Sequence, residues 1–174
     1  MNRLNEAQLS FWQAYLETLP PESQPADPVV EASFAGSRES ADELLDLYLT
    51  GRKTAGSSIK EDFDAAGDPL PQAGNFWILL NSQGEPGCLL RTEKTAVHKF
   101  YDVPPEVALA EGEGDLSLDH WRRVHQAAYE PHLAEWGLAS IADATVVTEY
   151  FTLLFKQPVE LARTGQEAPG HVAC

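Results

Sequence analysis

Leu4, Leu9, Phe11, Trp12, Tyr15, Leu16 and Leu19 recur at spacings near three and four, which predicts an amphipathic helix stopping before Pro20-Pro21. A polar, proline-rich linker follows over 20–27, and residues 29–34 (VVEASF) read as a strand that Gly36 ends. Ser40, with Glu43 three residues on, predicts a capping box for a helix carrying Leu44, Leu45, Leu47, Tyr48 and Leu49. Gly51 is its natural stop. The small, β-tolerant residues of TGRKTAGSS (50–58) then lead into a strand.

Further along, GDPLP (67–71) reads as a turn, FWILL (76–80) as an apolar strand, and NSQG (81–84) as a hairpin into a long, bent or bulged strand over 87–100. Asp102-Val-Pro-Pro-Glu106 opens a short helix, since proline is tolerated in a first turn. Ser117 caps a longer helix with Trp121, Val124, Ala128, Leu133 and Trp136, and residues 144–155 form a last strand. The element order predicts an α+β domain with a mainly antiparallel sheet. Three segments are expected: an N-terminal helix and linker over 1–27, one domain over 28–156, and a flexible tail over 157–174 that lacks apolar periodicity. The aromatic face of the first helix is expected to cover the sheet or make a homodimer contact.

Composition narrows the class. With 43% hydrophobic and 22% charged residues in 174, the chain has the profile of a globular protein. A net charge of −15 repels long phosphate polymers and favours a small ligand. The two cysteines, Cys88 and Cys174, show no metal-ligand spacing. No apolar run approaches the ~20 residues of a membrane span, so the expectation is a cytoplasmic protein with no membrane partner.

Against this acidity the adjacent cations Arg52 and Lys53 stand out. A lysine at a helix-to-strand junction is most often solvated, but it can also meet a phosphate, polarise a carbonyl or act as a base when desolvated. In an extended strand Ser57 shares its face, with Thr54 and Ser58 on the other. The acidic stretch AEGEGDLS (110–117) flanks Glu113 with glycines that let the backbone approach a ligand closely. His120, His125 and His132 show neither metal-ligand spacing nor a partner nucleophile, so structural or surface roles are expected. Gly112-x-Gly114 lacks the strand and helix of a dinucleotide site, and no nucleotide cofactor or metal is assigned.

The helix over 41–51, then Arg52-Lys-Thr-Ala, LPQAG (70–74), and AEGEGDLSL (110–118) with Trp121 and His125 together resemble the ASCH family, related to PUA domains, over roughly residues 30–155. The resemblance implies a PUA-like, mainly antiparallel β-barrel with flanking helices, and a cleft for RNA, a nucleoside or a modified base. Some ASCH proteins look like amidohydrolases of N4-acetylcytidine that use a lysine, a threonine three residues later and an acidic-loop glutamate; others are assigned ribonuclease activity. The lysine maps to Lys53 and the glutamate to Glu113, but the threonine position is Gly56. Ser57, Ser58 or Thr54 then replaces it, or water attacks directly, or the amide is not hydrolysed.

The expected function is therefore a nucleoside- or RNA-binding hydrolase, with Lys53, Glu113 and Ser57 as catalytic candidates. Arg52, Thr54, Ser58, Arg91 and Lys94 are the substrate-binding candidates. The alternatives are a ribonuclease on short single-stranded RNA, the one case calling for a divalent metal, and a noncatalytic RNA-binding module. Trp77, Phe100 and Tyr101 are aromatic candidates for stacking a base, although core packing is the commoner use of Trp77.

Overall fold

The computed structural model describes residues 4–157. The tail expected over 157–174 lies outside the described residues apart from Gln157. Among these residues five helices, α1 (Glu6–Leu16), α2 (Ala41–Leu49), α3 (Lys60–Ala66), α4 (Pro105–Glu111) and α5 (Leu118–Tyr129), alternate irregularly with five strands, alongside short 3₁₀ turns. The strands are β1 (Val30–Ser33), β2 (Ala55–Ile59), β3 (Phe76–Leu80), β4 (Pro86–Lys99) and β5 (Thr145–Lys156). They form one sheet in the order β1-β3-β4-β5-β2.

The sheet is mixed. β1 runs parallel to β3, while the other three pairings are antiparallel. β1 and β2 are its two edges and share no ladder among the described residues, so the closed barrel expected from the resemblance gives way to an open α+β sheet. The predicted bend in β4 is present as register shifts between Leu89 and Leu90 and between Thr92 and Lys94. These irregularities let the strand twist strongly enough to serve both halves of the sheet.

Three apolar clusters hold the layers together. α1 inserts Phe11, Trp12 and Tyr15 against Phe76, Ile78, Leu80 and Leu89, so its aromatic face covers the sheet. Each such side chain contributes about 1.5–3 kcal/mol on full burial, enough to anchor a short helix. α2 packs Leu45 and Tyr48 on Leu79, Cys88 and Leu90. α4 and α5 bring Val107, Ala108 and Trp121 onto Ile59, Phe100 and Val146.

Two local expectations change. Ser40 is the N-cap of α2, but its hydroxyl engages Ser37 rather than the helix, so the capping box with Glu43 does not form. α3 was not expected from the sequence. It has one aromatic residue, the half-buried Phe63, an exposed Lys60–Asp64 pair, and Gly67 at φ 73° as its left-handed stop.

Candidate functional site

Lys53 follows the C-terminus of α2, where its backbone N–H donates to the Leu47 carbonyl at 3.0 Å. Thr54, exposed, ties the same turn to the end of α4: its N–H and hydroxyl both donate to the Ala110 carbonyl, at 2.7 and 3.2 Å. Gly112 closes the contact from the other side. A Cβ built there would stand 1.9 Å from the Arg52 carbonyl oxygen, so only glycine lets the two backbones meet.

This apposition buries Lys53, which is 5% exposed, between two carboxylates. Its ammonium donates to Glu113 Oε1 at 2.6 Å and reaches Glu111 Oε2 at 3.4 Å and the Glu111 carbonyl at 3.5 Å. Glu111 is 2% exposed and lies within the fold, whereas the Glu113 side chain is 25% exposed and forms the outer end of the pair.

Each carboxylate oxygen of Glu111 has two polar neighbours. Ser57 Oγ and Trp121 Nε1 (2.9 Å) donate to Oε1, while Lys53 and His125 Nε2 (3.2 Å) face Oε2. Burial pushes this carboxyl up, but the His125 hydrogen bond, the Lys53 charge and the Ser57 hydroxyl outweigh it and hold the group at about 2. His125 is fixed in turn: its ring stacks on Trp121 at 4.1 Å, and Nδ1 meets the Trp121 carbonyl at 2.8 Å. A carbonyl only accepts, so Nδ1 carries a proton; a second proton on Nε2 turns the Glu111 contact into an ion pair.

Ser57 also meets the buried Thr148 hydroxyl at 3.1 Å, and its carbonyl accepts from Tyr129 at 3.1 Å. Burial, with the charges of Glu111 and Glu113, pushes the Tyr129 phenol up, so it stays a donor. Gly56 faces the opposite side of β2, against the Tyr48 hydroxyl. That buried hydroxyl donates to the Ala55 carbonyl at a long 3.4 Å, and Lys53 Nζ lies 5.4 Å from the Tyr48 ring centre.

The structure thus gathers Lys53, Ser57 and Glu113, three site candidates from the sequence, around Glu111, which was not one, and His125, for which a structural or surface role was expected. Arg52 is exposed, with its carbonyl on Gly112. Ser58 lies on the other face of β2 from Ser57. Arg91 pairs with Glu93 at 2.8 Å, and Lys94 lies over the Tyr150 ring at 4.5 Å. Phe100 is fully buried and Trp77 is wedged against Tyr48 and Phe151, while Tyr101 is exposed. Among the described residues no three His, Cys, Asp or Glu side chains converge as metal ligands, and no helix is long and apolar enough to cross a membrane.

The ASCH domain model matches residues 31–154, a span that holds both Lys53 and Glu113. The chain belongs to the ASCH domain family. The crystal structure of an ASCH domain from Lactobacillus crispatus JV V101 superposes with a TM-score of 0.81 at 26% identity, covering 88% of this chain and 98% of that one. A crystal structure of a protein from Enterococcus faecalis V583 gives 0.69 at 30% identity, covering 84% and 91%. No curated protein matches the chain.

Proposed function

We propose that this ASCH protein binds a nucleoside or short single-stranded RNA at the Lys53–Glu113 pair and hydrolyses an amide on a modified base of the N4-acetylcytidine type. The observation that carries the reading is the 2.6 Å contact between an ammonium anchored inside the fold and a carboxylate at the solvent edge. Glu113 takes a proton from the attacking water and returns it to the departing base nitrogen, while Lys53 moves onto the carbonyl oxygen as it becomes an oxyanion. The amide C–N bond breaks, giving the free amine and acetate.

Ser57 fits a positioning role better than that of nucleophile. Its proton is directed at Glu111, and a carboxylate held at about 2 is a poor base for a hydroxyl. Glu111 and His125 hold the lysine and the serine in place, as a fixed polar shell does for reactive groups.

A noncatalytic module is the second reading, favoured by the saturation of Lys53, whose three donors all have acceptors. Incubation with N4-acetylcytidine, read as cytidine and acetate released, separates the two. Turnover that Glu113→Gln abolishes supports hydrolysis. Binding without turnover by wild type favours the module, and no binding of nucleoside or single-stranded RNA removes both.

A further inference from the structure

His125 and Lys53 meet on one oxygen. His125 Nε2 lies 3.2 Å and Lys53 Nζ 3.4 Å from Glu111 Oε2, while Oε1 is taken by Ser57 and Trp121. The ring is held in one orientation, since it stacks on Trp121 at 4.1 Å and its Nδ1 donates to the Trp121 carbonyl at 2.8 Å. With that proton fixed on Nδ1, a neutral ring would aim the bare lone pair of Nε2 at a buried carboxylate oxygen, an acceptor against an acceptor. A proton on Nε2 turns the same contact into a charge-assisted hydrogen bond.

The charges around the ring point the same way. Two carboxylates, Glu111 at the end of α4 and Glu113 in the loop beyond it, face the Lys53 ammonium, and Glu111 is 2% exposed. On α5 itself, Tyr129 lies 5.5 Å away between ring centres and keeps its phenol proton, so it adds no charge. A second cation on Glu111 completes the balance that a buried carboxylate needs.

We propose that His125 is an imidazolium, the second counter-ion of Glu111, and a positioning residue whose charge on Oε2 lets Lys53 leave that oxygen. In the reading above Lys53 moves onto the carbonyl oxygen of the substrate, which ends its contact with Glu111. Without a charged His125 that move strands a buried carboxylate. Both ring protons stay on His125 throughout, so it takes no part in the proton transfers of Glu113. The inference rests on that reading for the movement of Lys53, and on the hydrogen-bond geometry alone for the charge of the ring.

Three measurements on the full chain test it. Ring-nitrogen NMR at neutral pH is expected to show both nitrogens of His125 protonated. His125→Gln keeps an N–H for Glu111 and removes the charge, so kcat for N4-acetylcytidine falls about tenfold or more with KM nearly unchanged. In urea, Lys53→Met leaves Glu111 the imidazolium and His125→Gln leaves it the ammonium, whereas the double variant leaves neither. Its midpoint therefore falls by more than the sum of the two single shifts. A ring with one bare nitrogen, additive midpoints, or wild-type kcat in His125→Gln overturns the proposal. If the double variant does not fold, the ring spectrum and the kcat of His125→Gln decide. If wild type does not turn over N4-acetylcytidine, the reading above fails, and the ring spectrum and the urea cycle decide this one.

Discussion

The hydroxyl of Tyr48 lies 2.8 Å from the point where a side chain on Gly56 would place its Cβ. The missing hydroxyl residue three positions after Lys53 thus has a steric cause: α2 sends a phenol into that space. A side chain at 56 and a hydroxyl on residue 48 exclude each other.

That exclusion predicts a coupled pair. Gly56→Ala overpacks the site and destabilises the protein by about 1–3 kcal/mol, measured by urea denaturation. In a Tyr48→Phe background the same change costs clearly less, because the obstructing oxygen is gone. Additive costs would show that Tyr48 is not what keeps position 56 small.

The two ends of the Lys53 network differ in burial, and their variants should differ accordingly. Lys53→Met leaves Glu111 buried without its cation and costs about 3–5 kcal/mol. Glu113→Gln, at the solvent edge, costs less than about 1 kcal/mol yet removes the amide turnover proposed above. Equal destabilisation by both would make the network purely structural.

Lys53 and Glu113 were legible because each breaks its local pattern: a cation beside small strand residues, and a carboxylate between glycines. Glu111 was not, since it ends a helix where a glutamate is ordinarily solvated. Its role arises from Ser57, Trp121 and His125 converging from two other elements. The parallel β1–β3 pairing was equally hidden, because it joins Val30 to Phe76 across an intervening helix-strand-helix. Arg91 has a partner that was also within reach of the sequence: Glu93, two residues on along the strand, pairs with its guanidinium.

Glu111 gives stability a pH signature. Its carboxyl falls from an ordinary 4.5 to about 2 on folding, so its contribution is complete above pH 4.5 and is lost as pH falls toward 2. Glu149, pushed up by burial, has the opposite sign: its contribution is present at low pH and is lost as pH rises through its raised value. Urea midpoints followed downward from pH 4.5 should drop steeply for wild type and less steeply for Glu111→Gln. Parallel curves would remove Glu111 from the account.

Gly112 is where site and fold are least separable. It sits at φ 66°, and a Cβ there would meet backbone, the Arg52 carbonyl, rather than a side chain able to turn away. Gly112→Ala therefore adds a backbone displacement to left-handed strain, at about 2–5 kcal/mol together. Gly51, at φ 75° with nothing within 4 Å of its Cβ position, is the matched control, and Gly51→Ala carries the strain alone, about 1–2 kcal/mol. The displacement pushes Arg52 and Lys53 away from the acidic loop, so Gly112→Ala is expected to lose the proposed amide turnover as well as stability, while Gly51→Ala keeps it. Equal melting temperatures and equal turnover for the two variants would mean that the contact between Arg52 and Gly112 does not set the position of Lys53.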